Sequence, residues 1–242
     1  MIVVRRSTRR SASLLALLLI ASACNEFDPL GVPDSAASFA TIASGARFAD
    51  DFSTLDATVW SRSTHNLGRG PLKPENVTVA AGSVALATRA SGFEGAEIRT
   101  LQTWGTGSFT ARGRCAAPTG TLCTLFMYQI GVGDAADEID IEMISGTREI
   151  WFTTWVAGKR VNHAKVTLPF DPAAEFNTYT IDRRAKEIRF LVNGVLQHTY
   201  RHNGKGKVPT SAMPLFLNSW WPTWLAPSQA NGVWEIDWVE IH

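Results

Sequence analysis

Long apolar runs are scarce in this sequence. The most apolar segment, residues 14–20, falls short of the about 20 residues that a membrane-spanning helix needs. Cysteine is nearly absent, with three in 242 residues. Cys115 and Cys123 have neither CxxC spacing nor a neighbouring His, which argues against a zinc site. The five histidines stand at no ligand spacing, and no G-x-S-x-G turn is present to carry a Ser-His-Asp nucleophile. Excess charge of one sign is missing too. The 23 basic residues meet 22 acidic ones, with no basic patch of the kind that binds nucleic acid. Sustained helical periodicity, internal repeats and a second domain boundary are also lacking, so one substantial domain without amphipathic helices is expected.

What is present begins with an export signal. Arg5, Arg6, Arg9 and Arg10 precede the apolar run, the arrangement of a signal peptide over residues 1–23. It ends in Ala21-Ser22-Ala23-Cys24, which resembles a bacterial lipobox with Ala21 in place of the usual Leu and makes Cys24 the lipidation site. Asn25 follows where an inner-membrane retention Asp would stand. An outer-membrane lipoprotein is therefore expected, meeting the membrane only through its acyl anchor; simple secretion after cleavage near Ala23 is the alternative. Residues 24–46 are small and polar, with Pro29 and Pro33, and read as a disordered tether to a domain over 47–242. Removing residues 1–23 leaves 19 basic against 22 acidic residues, a formal −3. That balance calls for no strongly charged partner, and a monomer is expected. In an oxidising compartment Cys115 and Cys123, eight apart around a turn-like connection, are expected to form a disulfide across a hairpin; two free buried thiols are the alternative.

From Phe48 onward, short runs of strand character alternate with turn signals. Strands are predicted at 77–79, 83–88, 96–100, 107–115 and 121–129, and, after an acidic run, at 149–155, 162–167, 179–183, 187–192, 195–200, 215–218 and 233–241. Asn193-Gly194 is a favoured two-residue hairpin turn. Regularly spaced strands without helices predict an all-β sandwich or barrel.

The acidic run, Asp137-Glu138-Ile139-Asp140-Ile141-Glu142-Met143, alternates strictly. In a strand, Glu138, Asp140 and Glu142 share one face, and Ile139, Ile141 and Met143 share the other. Three like charges on one face repel, so a purely structural strand would avoid them. A pair of carboxylates flanking a bond is what glycoside hydrolysis requires, about 5–5.5 Å apart for retention and about 6.5–9.5 Å for inversion. Four residues separate Cα atoms by about 13 Å in a strand, and long Glu side chains leaning inward on a concave sheet shorten this toward the retaining distance. Asp140, between the two, can hydrogen-bond one Glu and set its ionisation. The alternative is a solvated face with a chance acidic cluster. Glu235-Ile236-Asp237 repeats the first three residues, but Val239 stands at the third same-face position. Asp237 therefore reads as structural or near a metal, and Glu235 as solvated.

Nine Trp exceed the needs of one core. Trp220-Trp221-Pro222-Thr223-Trp224 lies in a turn-rich stretch and is expected to offer indole faces to sugar rings. Trp234 and Trp238 alternate with Ile236 and are expected in the core.

Glu138-Ile139-Asp140-Ile141-Glu142 resembles the E-x-D-x-E signature of glycoside hydrolase family 16. Phe109-Thr110-Ala111-Arg112 and Thr124-Leu125-Phe126-Met127-Tyr128 are similar to the strands preceding it in bacterial lichenases. Phe176 to Ile181, Ile188 to Gly194, Leu217-Asn218-Ser219-Trp220 and Asp237-Trp238-Val239 resemble later family segments. The resemblance implies a β-jelly-roll sandwich of two antiparallel sheets with a concave substrate cleft. It implies a retaining endo-acting enzyme that requires no cofactor, with Glu138 as nucleophile, Glu142 as general acid and then base, and Asp140 as their hydrogen-bonding assistant. It further implies sugar contacts from Glu97, Arg99, Tyr128, Asn218, Trp220 and Asn66, joined by Trp224 of the aromatic stretch, and a structural Ca²⁺ near Asp237. Family members acting on β-1,3-glucan commonly carry a bulge before the last Glu. The regular spacing here resembles lichenases and xyloglucan-type transglycosylases, so mixed-linkage β-1,3-1,4-glucan is the expected substrate. A β-1,3-glucanase, a transglycosylase and a non-catalytic glycan-binding lipoprotein are the alternatives. Ala136, Gly95 and Met143-Ile144-Ser145-Gly146 depart from the lichenase pattern and bear on substrate more than on reaction.

Overall fold

The computed structural model describes residues 46–202 and 207–242. The expected signal peptide, Cys24 and the tether up to residue 45 lie outside the described residues. In chain order the strands are β1 (Phe48–Asp50), β2 (Trp60–Arg62), β3 (Asn66–Leu67), β4 (Gly70–Pro71), β5 (Val77–Ala80), β6 (Ser83–Thr88), β7 (Ala96–Thr100), β8 (Gly107–Ala116) and β9 (Leu122–Tyr128). There follow β10 (Glu138–Ile144), β11 (Glu149–Val156), β12 (Lys159–Thr167), β13 (Asn177–Arg183), β14 (Glu187–Val192), β15 (Val195–Arg201), β16 (Leu215–Trp220) and β17 (Gly232–Ile241). Apart from β3 and β4, which pair only with each other, they form two antiparallel sheets. One runs β15-β14-β13-β8-β17-β6-β5, with β1 also on β17; the other runs β12-β11-β10-β9-β16-β7-β2.

Alternation places the core between the sheets. Strands β6, β13 and β14 bury every second residue. Phe109, Ile181, Phe190 and Ile236 of one sheet and Leu125, Ile139, Ile141 and Phe152 of the other are fully buried. Phe152 stacks on Phe190 at a centroid distance of 4.9 Å. Each such side chain contributes about 1.5–3 kcal/mol, and together these contacts fix the orientation of the sheet carrying the acidic strand.

Cys115 and Cys123 are joined by a disulfide with Cα atoms 6.0 Å apart. The connection differs from the expected hairpin. Cys115 lies on β8 and Cys123 on β9, which belong to different sheets, so the bond ties the two layers together. Closing so short a loop contributes about 2–3 kcal/mol in the chain-entropy picture.

The C-terminal strand corrects several sequence expectations. Trp234 is fully buried, but Trp238 is only half-buried. The register of β17 against β8 shifts between Ile236 and Trp238, and this bulge breaks the alternation that would have carried Trp238 inward. Glu235 is not simply solvated; Arg114 Nε donates to its Oε2 at 3.0 Å. Asp237 sits at the bulge, where the Arg112 guanidinium pairs with Oδ2. A calcium ion there would compete with that guanidinium for the carboxylate. Among the described residues no three His, Cys, Asp or Glu converge on a cation site. No step below involves such an ion.

Candidate active site

One face of the β12-to-β2 sheet lines a cleft of about 910 Å³. Strand pairing sets its floor in rows. Glu142 stands opposite Trp151 and Thr124, and the row continues to Lys165 on one side and to Asn218 and Glu97 on the other. Asp140 lies between Thr153 and Phe126, with His163, Phe216 and Arg99 beyond them. Glu138 lies between Trp155 and Tyr128, with Arg160 outside Trp155. All of these residues line the cleft. The three carboxylates therefore share the cleft face, while Ile139, Ile141 and Met143 are buried in the core.

Burial is the dominant influence on the acids. It pushes Glu138 up to about 7, reinforced by the charge of Glu142, while a hydrogen bond with Asp140 opposes the rise. Glu142 also rises to about 7 through burial, opposed by a hydrogen bond from Thr153 and by the charge of Lys165. Asp140 is likewise pushed well above its ordinary range, through burial and the charges of both Glu neighbours. The same hydrogen bond that raises Asp140 lowers Glu138. Asp140 therefore keeps a proton and donates it toward Glu138, favouring a Glu138 anion. The Trp155 indole N–H fixes the other side of Asp140.

Neighbouring groups hold this strand in place. Asp137, just before Glu138, accepts from Ala157 N at 3.0 Å and from Ser211 Oγ at 2.9 Å. It thereby pins the β11–β12 turn and the segment before β16 to the start of β10. Thr153 Oγ1 donates to Glu142 Oε2 at 3.1 Å and lies 3.1 Å from His163 Nδ1.

Of the sequence-expected sugar contacts, Glu97, Arg99, Tyr128, Asn218, Trp220 and Trp224 line the cleft. Glu97 already has both oxygens engaged, by Ser63 Oγ at 2.5 Å and Asn218 Nδ2 at 2.9 Å. It orients Asn218 rather than offering a free carboxylate. Asn66 is exposed on β3, and its neighbours His65 and Leu67 line the cleft in its stead. Trp220 ends β16 and packs edge-on against the half-exposed Trp224 at 5.4 Å. Trp221, expected as a third sugar platform, is fully buried and donates its indole N–H to Glu94 O at 3.2 Å. The sequence reading passed over Trp151, Thr153 and Trp155, although their i, i+2, i+4 spacing places them on one strand face. It also passed over the floor pair Phe126–Phe216, stacked at 4.7 Å, and the bases of β12.

Clustered, buried carboxyl groups pushed up toward neutrality, set among aromatic walls, define an enzyme of glycosidic-bond chemistry. The chain belongs to glycosyl hydrolases family 16, whose profile matches residues 69–240. It is 30% identical over 193 residues to a beta-glucanase of Bacillus subtilis (strain 168), spanning 75% of this chain and 77% of that protein. It is also 30% identical over 185 residues to the endo-1,3-1,4-beta-glycanase ExoK of Rhizobium meliloti (strain 1021), spanning 72% of this chain and 68% of that protein. The crystal structure of a β-1,3-1,4-glucanase (lichenase) from a mouse hindgut metagenome superposes with a TM-score of 0.73 at 23% identity. The superposition covers 80% of this chain and 97% of that one, a likeness of fold.

Proposed function

We propose that this glycoside hydrolase cleaves mixed-linkage β-1,3-1,4-glucan internally and with retention of configuration. The observation that carries the reading is the row of three acids that β10 sets on the cleft face, Glu138, Asp140 and Glu142, with Asp140 hydrogen-bonded to Glu138. Glu138 attacks the anomeric carbon as the glycosidic bond breaks, and protonated Glu142 gives its proton to the departing oxygen. In the second step Glu142, now a carboxylate, takes a proton from water, the water oxygen bonds to the anomeric carbon, and Glu138 leaves. Lining residues reach from Arg160 and Lys165 on β12 to Glu97 and Arg99 on β7. Room for a chain on both sides of the acids suits internal cleavage. The relatives named for β-glucan and β-1,3-1,4-glycan support the substrate.

Glu138→Gln and Glu142→Gln are each expected to lower lichenan hydrolysis by at least about a hundredfold. Product anomers followed by proton NMR should appear first in the β form. An α product, or undiminished activity in either variant, would sink the mechanism. We further propose that residues 1–23 direct export and that Cys24 carries the lipid of an outer-membrane lipoprotein. Cys24→Ala should then move the enzyme from the membrane to the soluble fraction of fractionated cells; unchanged membrane association would refute the anchor.

A further inference from the structure

The cleft floor carries a second charged row that the reaction above does not use. Across three adjacent strands, Glu138–Trp155–Arg160, Asp140–Thr153–His163 and Glu142–Trp151–Lys165 stand side by side. A line of bases on β12 thus runs beside the line of acids on β10, two strand spacings or about 10 Å away. We propose that this end of the cleft is a subsite for an anionic substituent on the glucan. That substituent would be a carboxylate or sulfate borne a sugar unit or two from the bond that is cut. The inference rests on the glycoside hydrolase reading of the same cleft.

Balancing the acids does not account for the bases. Ten ångströms is about one screening length at physiological salt, and only Lys165 influences a catalytic carboxyl, that of Glu142. Nor do ion pairs consume them. Lys165 reaches Glu149 only at 4.0 Å, with both side chains about half exposed, and among the described residues Arg160 has no ion-pair partner. Both cations are instead held over aromatic rings. Lys165 Nζ lies 3.9 Å from the Trp151 ring centre and Arg160 Cζ lies 5.8 Å from that of Trp155. These contacts keep the heads at the level of the floor while leaving donors for an anion. The other end of the cleft differs, for there Glu97, Ser63 and Asn218 form a closed hydrogen-bonded set. A neutral chain needs stacking faces and hydroxyl partners, not two cations on one strand at one end.

The test compares kcat/KM on barley β-glucan with that on the same polymer partly carboxymethylated or partly sulfated. The wild-type enzyme should prefer one or both acidic polymers by about fivefold, as expected for two exposed charge contacts. The preference should vanish in about 1 M salt, where screening acts within about 3 Å. Arg160→Gln and Lys165→Gln should each lower the acidic-to-neutral ratio. Taking the ratio within one enzyme cancels any general loss of activity, and the two polymers tell carboxylate from sulfate recognition. A wild-type ratio at or below one, or a ratio unmoved by Arg160→Gln, overturns the subsite and leaves the β-glucanase reading intact. Absence of turnover on every polymer overturns that reading instead. Affinity electrophoresis of Glu138→Gln through the same polymers then decides the subsite alone: stronger, salt-sensitive retardation by the acidic polymer supports it, and equal retardation refutes it.

Discussion

Thr153 has one proton to donate and two neighbours able to accept it. When its hydroxyl donates to the Glu142 carboxylate, its lone pair must accept from His163, which requires the Nδ1–H tautomer. When Glu142 is protonated, the polarity of the short chain can reverse. Thr153 therefore stabilises ionised Glu142, and burial does the opposite. Removing the hydroxyl should raise the pKa of Glu142, so the acid keeps its proton to higher pH. Thr153→Val, nearly the same shape, is expected to move the alkaline limb of kcat/KM upward by about half to one pH unit. A pH–rate profile on lichenan measures this; an unmoved or lowered limb would show that Thr153 only fills space. His163 is held below its ordinary pKa by burial and by Arg160 and Lys165, so it stays neutral around pH 7 and serves the chain as a hydrogen-bond partner, not a charge.

At the level of elements, the β11–β12 hairpin sets where the bases fall. Its turn residues Ala157 and Gly158 have φ of 48° and 74°, the left-handed conformation of a tight two-residue hairpin. A Cβ on Gly158 would come 1.7 Å from the carbonyl oxygen of Asp134, whereas one on Gly194, at a similar φ of 72°, would meet nothing within 4 Å. Gly194→Ala should therefore incur backbone strain alone, about 1 kcal/mol. Gly158→Ala should cost clearly more and lower the melting temperature by at least about 5 °C, measured by calorimetry on both variants. The long strands were legible in the sequence because one face of each is buried and alternation follows. Strands β1 to β4 have only two or three residues each, too few to show a period. Adjacent side chains of a strand point to opposite faces, which is why Trp220 reaches the cleft and Trp221 the interior. The acidic trio was legible for the same reason. The basic row was not. A register shift beside Trp155 leaves Val161 as an extra residue on β12, so Arg160 and His163, three apart, share a face that strict alternation would deny them.

For the molecule as a whole, the two sheets meet through an apolar core and one covalent tie. Replacing both Cys115 and Cys123 by Ala should lower stability by about 2–3 kcal/mol, or the melting temperature by about 5–10 °C. Activity at room temperature should stay unchanged, since neither residue lines the cleft; an unchanged melting temperature would show that the core alone sets stability. The tie also matches the oxidising compartment that the proposed export signal implies. A last consequence concerns the place of β12 in the assembly of strands. It is the outermost strand of the cleft sheet, and an open sheet edge is a template on which a second chain can add. Lys159, Arg160, His163 and Lys165 make that edge a poor docking strand for another copy. Re-engineering the cleft toward neutral glucan by stripping its bases would also remove this guard. Substrate range and resistance to aggregation are thus set by the same strand.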